Sequence, residues 1–109
     1  AAFAIVQRHY PDAKYQYSPD FLFYQRLDIF IPSMNTAIEY QGKQHYEPVE
    51  FFGAKEGYRR SRERDSRKYR RCQANGIKVL YWDYDKPLTE EYFLAEILPE
   101  ILPKESEQA

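Results

Sequence analysis

The pattern of apolar and polar positions divides the first half of the chain into a helix and three strands. Apolar residues recur at helical spacing over residues 2–10, and Pro11 ends that run, which predicts a short first helix. Three runs with strand-like alternation follow, separated by residues typical of turns. They predict strands over 14–17, 23–31 and 36–41.

The second half continues with a long helix, a strand and a last helix. A loop over 42–55 precedes the long helix. The remaining predicted elements are a helix over 56–74 closed by Asn75-Gly76, a strand over 77–82, and a helix from Thr89 to about Leu98 that Pro99 and Pro103 end. Residues 1–103 therefore form one α/β domain with the order α-β-β-β-α-β-α, and residues 104–109 are expected to be a frayed tail.

A carboxylate lies on each of the two strands that flank Ser33-Met34. If those two residues form the turn, opposed positions sum to 67, and Asp28 faces Glu39. Opposed side chains on one face of a sheet lie about 4.5–5.5 Å apart at Cβ, and like charges at that distance repel. A Mg²⁺ ion, which prefers one or two carboxylates together with water, would resolve the repulsion.

The alternation within this hairpin supports a polar face and an apolar face. The predicted apolar face contains Leu27, Ile29, Ile31, Ile38 and Tyr40, and the predicted polar face contains Asp28, Glu39 and Gln41. A register slip of one residue would separate the two carboxylates. The alternative is a solvent-exposed strand face that carries two acids by chance.

The residues around this pair resemble a known nuclease motif. Glu39-Tyr40-Gln41 resembles the (D/E)-x-K element of the PD-(D/E)xK superfamily, with Gln in the position of Lys, and Asp28 matches its metal-binding Asp. The longer string from Asp28 to Pro32 and from Ala37 to Tyr46 is similar to the branch that includes very-short-patch repair endonucleases and phage and homing-endonuclease domains. Arg64-Asp65, Lys68, Cys72 and Gly76-Ile77 also fit that branch.

The resemblance implies a restriction-endonuclease-like αβββαβ core, a mixed sheet flanked by helices, and metal-dependent hydrolysis of DNA. In this interpretation Asp28 and Glu39 hold Mg²⁺ or Mn²⁺, with the main-chain carbonyl of Tyr40 as a further ligand. The implied catalytic residues are Asp28, Glu39, Gln41, Lys43 and His45. His45 would act as a general base or protonate the leaving oxygen.

Two departures from the family pattern bear on activity. Gln41 carries no charge, so Lys43 or Lys68 would have to replace the usual lysine. The first helix contains no acid, although many relatives supply a metal ligand there. An acid before Ala1, a one-metal site or an impaired enzyme would each account for this.

The charge of the chain is strongly segregated. Although the formal net charge is only −1, residues 55–78 contain 10 basic and 3 acidic residues. On the long helix, Tyr58, Asp65, Tyr69 and Cys72 form a stripe expected to face the sheet. The basic residues expected to contact backbone phosphates of DNA are Arg59, Arg60, Arg62, Arg64, Arg67, Lys68, Arg70 and Arg71. The alternative is an ordinary solvated helix surface.

The composition excludes several classes of protein. A single cysteine rules out an internal disulfide and a cysteine-based zinc cluster. No apolar run is long enough to span a membrane, and no stretch of the sequence has the basic-then-apolar pattern of a signal peptide. We expect a cytoplasmic, nucleoid-associated domain taken from a longer protein, with DNA as partner and no membrane contact. Its state as a monomer or homodimer stays open.

Two other functions remain alternatives at this stage. The first is a catalytically impaired DNA-binding module of the same fold, because the usual lysine and the acid of the first helix are absent. The second is a protein-interaction domain that uses the acidic C-terminal helix, since residues 79–109 contain 8 acidic and 2 basic residues.

Overall fold

A four-stranded mixed sheet forms the centre of the computed structural model, which describes residues 2–23, 25–41 and 54–102. Strand order is β1-β2-β3-β4, with antiparallel β1/β2 and β2/β3 pairs and a parallel β3/β4 pair. The elements are α1 (Ala2–His9), β1 (Lys14–Tyr17), β2 (Leu27–Ile31), β3 (Thr36–Gln41), α2 (Ala54–Ala74) and β4 (Lys78–Asp83). The predicted α/β class and the order of these elements are confirmed.

Two apolar clusters cover the two faces of the sheet. The first joins α1 and the C-terminal residues to one face and contains Ile5, Val6, Ala13, Ile29, Ile31, Ile38, Trp82, Phe93, Ile97 and Ile101. The second, beneath α2, contains Leu22, Leu27, Phe30, Ala37, Cys72 and Ile77. The strand alternation therefore sends β2 and β3 side chains to both layers. Leu27 belongs to the second cluster, so its predicted place beside Ile29 and Ile31 is wrong.

The C-terminal residues form a continuous helical segment that changes its geometry twice. It is α-helical over Glu90–Tyr92, π-helical over Phe93–Ile97 and α-helical again over Leu98–Ile101. Thr89 caps it, since its hydroxyl accepts the Tyr92 N–H at 3.2 Å. The predicted end at Leu98 is wrong, because the wider π turn accommodates Pro99, which lacks an N–H and clashes with the carbonyl four residues earlier in a regular helix.

The end of α2 is fixed by a Schellman motif. Gly76 has φ of +76°, its N–H bonds to the Gln73 carbonyl, and the Ile77 N–H bonds to the Cys72 carbonyl at 2.9 Å. Ile77 and Cys72 also meet in the second apolar cluster. The predicted cap at Asn75-Gly76 is thus confirmed, and it turns the chain directly into β4.

The second strand is shorter than predicted, beginning at Leu27 instead of Phe23. A 3₁₀ turn over Asp20–Leu22 buries Leu22, and Phe23 then adopts a left-handed φ of 59°. A residue with positive φ cannot continue an extended strand. Within the described part of the chain, no helix is long and apolar enough to cross a membrane.

Candidate active site

The register of the hairpin brings the two predicted carboxylates together. Ile29 pairs with Ile38, Phe30 with Ala37 and Ile31 with Thr36, so opposed positions sum to 67 as predicted. The turn itself is longer than the predicted two residues. A 3₁₀ turn over Pro32–Met34 and a left-handed Asn35 connect the strands, which changes the loop but leaves the register intact.

The carboxylates hold the two strands together where the backbone pairing ends. The Asp28 N–H donates to Oε2 of Glu39 at 2.6 Å, and the Tyr40 N–H donates to Oδ2 of Asp28 at 2.9 Å. Each acid thus accepts a backbone N–H of the opposite strand. This exchange fixes both side chains on the same side of the sheet, as a binding site requires.

Lys68 of α2 completes the cluster from above the sheet. Its ammonium group forms an ion pair with Oε1 of Glu39, and the two side chains are only 18% and 10% exposed. The carboxylate of Glu39 is therefore shared between a backbone N–H and a lysine that are far apart in the sequence. Because the pair is largely removed from solvent, loss of one partner should cost more folding free energy than loss of a partner in a surface ion pair.

These groups line a cavity of about 260 Å³ between α2 and the sheet. Its walls come from β2, β3, β4 and α2. The lining residues are Leu27, Asp28, Glu39, Tyr40, Gln41, Asp65, Lys68, Tyr69, Cys72, Val79 and Tyr81. No residue of α1 is among the described residues that line it, so the first helix supports the site only from the other face of the sheet.

Burial raises the pKa of three side chains that line this cavity, Glu39, Cys72 and Tyr81. Burial raises the pKa of Glu39, and Asp28 raises it further, while the ammonium of Lys68 opposes the shift. Burial and the charge of Glu39 also raise the pKa of Tyr81 to about 12 and raise that of the Cys72 thiol. Tyr81 and Cys72 are therefore neutral at physiological pH, and the available charged ligands are oxygen atoms.

The raised pKa of Glu39 has a consequence for stability. Because the pKa of Glu39 is higher in the folded protein than in the unfolded chain, its protonation stabilises the fold. This contribution is complete below the unfolded pKa of 4.5 and is lost as the pH rises through the folded pKa. Glu39→Gln does not titrate, so the difference in unfolding free energy between variant and wild type should shift in favour of the variant as the pH rises from 4.5. The slope is limited to about 1.4 kcal/mol per pH unit.

Urea denaturation of both proteins between pH 4 and pH 8 measures this difference, with Glu96→Gln, an exposed position of the C-terminal segment, as control. A difference that moves the other way with rising pH would contradict the account. It would mean that Lys68 outweighs burial and lowers the pKa of Glu39.

The structure brings together only part of the predicted site. Asp28, Glu39, Tyr40 and Gln41 line the cavity, whereas Lys43 and His45 lie outside the described residues. Among the described residues, no group of three or more His, Cys, Asp or Glu side chains is placed to hold a metal. The hairpin supplies the carboxylate oxygens of Asp28 and Glu39, and a third carboxylate, that of Asp65 on α2, lines the same cavity.

The basic residues of α2 separate into two groups. Lys68 turns inward and contacts Glu39. Arg64, Arg67 and Arg71 instead line a second groove, together with Leu22, Phe23 and Gln25. Arg70 is exposed, and the side chains of Arg59, Arg60 and Arg62 lie outside the described residues.

The sequence names Lys68 as a candidate for the missing lysine, but it predicts neither the ion pair of Lys68 with Glu39 nor the aromatic wall of Tyr69 and Tyr81. The two rings stack with centroids 6.3 Å apart. The helical spacing from Asp65 through Tyr69 to Cys72 predicted an inward stripe, and it is confirmed for these residues. Lys68 lies beside that stripe. Because a lysine side chain is long and flexible, the sequence does not indicate whether its ammonium group faces the sheet or the solvent.

Comparisons with known proteins identify two viral relatives. The chain is 44% identical over 68 residues to uncharacterized protein 094L of Frog virus 3 (isolate Goorha), covering 61% of this chain and 44% of that protein. It is 35% identical over 65 residues to uncharacterized protein 033L of Invertebrate iridescent virus 3, covering 59% of this chain and 34% of that protein. The matches thus span less than half of either relative. No protein-family model and no solved structure matches the chain.

Proposed function

We propose that this chain is a metal-dependent DNA endonuclease domain with a restriction-endonuclease-like core. The observation that carries the proposal is the cluster of Asp28, Glu39 and Lys68 in one cavity beneath a basic helix. Two acids and a lysine are the charged groups that the PD-(D/E)xK pattern requires. The observed order of helices and strands, α-β-β-β-α-β, is compatible with the same core.

The donor set of the cavity suits a hard divalent cation. Asp28 and Glu39 offer carboxylate oxygens, and Mg²⁺ is commonly bound by one or two carboxylates with water completing the shell. Cys72 does not compete as a thiolate, because burial raises its pKa. When bound, Mg²⁺ or Mn²⁺ would polarise the scissile phosphate and acidify a water molecule.

Lys68 is proposed to replace the lysine that is missing at position 41. Its ammonium group reaches Glu39 from α2, at the place where a phosphate approaching the carboxylates would carry negative charge. A preorganised positive charge in a largely buried cluster stabilises the charge that develops during hydrolysis. Gln41, on the β3 wall together with Glu39, can orient a water molecule through its amide.

A cation that binds the carboxylates should stabilise the fold. With Mn²⁺ at ten times its dissociation constant the gain is about 1.4 kcal/mol, which raises the melting temperature of a domain of this size by several degrees. The shift should be absent in Asp28→Asn and present in Glu96→Gln. Equal shifts in all three proteins, measured by differential scanning fluorimetry, would place the cation elsewhere.

The activity is tested with supercoiled plasmid DNA. The proposal expects conversion to nicked or linear DNA in Mg²⁺ or Mn²⁺ and no conversion in EDTA. Binding of DNA without cleavage in either metal would instead support a catalytically impaired DNA-binding module.

A further inference from the structure

A second polar site lies beside the cavity, in the groove formed by α2 and the residues before β2. The groove has a volume of about 110 Å³ and is lined by Leu22, Phe23, Gln25, Arg64, Arg67 and Arg71. Three guanidinium groups converge there, and no carboxylate is among the described lining residues. Arginine recognises phosphate through its planar fork of N–H donors.

Phe23 is exposed at this groove although its ring is apolar. The residue is 70% exposed, and the Arg71 guanidinium lies over its ring at 5.4 Å from the centroid. A ring in this position adds little buried apolar area to the core, so core packing does not explain it. An aromatic face next to positive charge is the combination with which proteins bind unpaired bases and their phosphates.

The backbone that presents Phe23 is strained and firmly held. Its φ of 59° and ψ of −110° are unfavourable for a bulky residue. The Phe23 N–H bonds to the Asp20 carbonyl at 3.0 Å, and the Ser18 hydroxyl contacts the carbonyls of Phe23 and Gln25 at 3.3 and 3.1 Å. Strain that is maintained by neighbouring hydrogen bonds is typical of functional positions.

Gln25 adds an unsatisfied polar atom to the groove. Its Oε1 is buried and has no hydrogen-bond partner among the described residues. A buried acceptor without a partner costs free energy until a donor reaches it. An amino group of a nucleobase stacked on Phe23 is a donor of the required kind.

We propose that this groove, defined by Phe23, Gln25, Arg64, Arg67 and Arg71, is a subsite for an unpaired nucleotide of single-stranded DNA. Its phosphates would contact the three arginines, and its base would stack on Phe23. A base inside a duplex has no free face to offer the ring, whereas an unpaired base does. The choice of nucleic acid as the ligand rests on the proposed nuclease function.

The subsite adjoins the carboxylates along two elements. On α2, Arg64, Arg67 and Arg71 each precede a cavity residue, namely Asp65, Lys68 and Cys72. Along the other wall, Gln25 is three residues before Asp28, which corresponds to about 10 Å of extended chain. A strand bound in the groove therefore leads toward the cavity, so the proposed substrate is DNA with an unpaired segment.

The test measures binding without cleavage. Fluorescence anisotropy in EDTA compares a labelled single-stranded oligonucleotide with the duplex of the same sequence. Phe23→Leu keeps an apolar side chain and should weaken single-strand binding about 5- to 160-fold, the range that loss of one stacked base gives. Arg67→Gln should weaken it and lower the slope of log affinity against log salt by about 0.7.

Matched controls use similar residues elsewhere on the surface. Tyr15→Leu removes an aromatic ring that is 62% exposed on β1, and Arg8→Gln removes an exposed arginine of α1. Both should bind as wild type does, and Phe23→Tyr should bind nearly as wild type does. Unchanged single-strand affinity in Phe23→Leu, or an equal loss for duplex and single strand, would overturn the proposal.

The two proposals can fail separately. Metal-dependent cleavage with no effect of Phe23→Leu on binding would leave the nuclease function and remove the subsite. Selective loss of single-strand binding in Phe23→Leu with no cleavage in any metal would leave the subsite and remove the nuclease function.

Discussion

Lys68→Met is expected to slow metal-dependent cleavage on the order of 10²–10³-fold, the loss that follows removal of one charged or donor group from a transition state. The same change should lower the free energy of unfolding by about 2–4 kcal/mol at neutral pH. The stability loss arises because Glu39 is nearly buried and keeps only the Asp28 N–H among the contacts described above.

The pH dependence separates this explanation from a general packing defect. Without the ammonium group, the factor that lowers the pKa of Glu39 is gone, so burial and Asp28 raise it further. The stability loss should therefore diminish as the pH falls and Glu39 becomes protonated. A second change, Glu39→Gln in the Lys68→Met background, should restore much of the lost stability.

Denaturation at several pH values and plasmid nicking at a temperature well below the transition check both effects. Lys78→Met is the matched control, because Lys78 is an exposed lysine of β4 that donates to the Glu100 carbonyl and is not among the described residues lining the cavity. A Lys68→Met protein that nicks DNA at the wild-type rate would remove Lys68 from the proposed chemistry. A stability loss that stays constant with pH would show that the ion pair with Glu39 is not its cause.

Asp28→Asn and Glu39→Gln are expected to reduce cleavage on the order of 10³-fold or more. Removal of a residue that hydrogen-bonds to a metal ligand already lowers metal affinity or activity about 10- to 100-fold. These changes remove the charge of a proposed ligand itself. Both variants should remain folded. The amide oxygen of each new side chain can still accept the N–H of Tyr40 or Asp28 that the carboxylate accepts in the wild type.

The hairpin shows how far local sequence patterns determine this site. Apolar alternation placed Asp28 and Glu39 on one face because burial of Ile29, Ile31 and Ile38 leaves a single favourable register. The predicted turn is too short, yet the register agrees with the prediction because the strands and not the loop fix it. A strand pair with one dominant apolar periodicity is therefore predictable from its sequence.

Long-range contacts were less accessible to the same reasoning. The ion pair of Lys68 with Glu39 depends on how α2 docks on the sheet, and the charge pattern of a helix does not determine the direction of one lysine. The apolar neighbours of Phe23 predict a strand there, whereas the 3₁₀ turn and the buried Leu22 before it place Phe23 at the groove. Local propensity fails where tertiary packing decides.

The most direct test of the central claim is the rate of supercoiled-plasmid nicking in Mg²⁺ by wild type, Asp28→Asn, Glu39→Gln and the control Glu96→Gln. Circular dichroism and melting curves establish that all four proteins are folded under the assay conditions. The account predicts nicking by wild type and Glu96→Gln that stops in EDTA, and almost none by the other two variants. Equal nicking by all four proteins, or none by the wild type in Mg²⁺ and Mn²⁺, would contradict it.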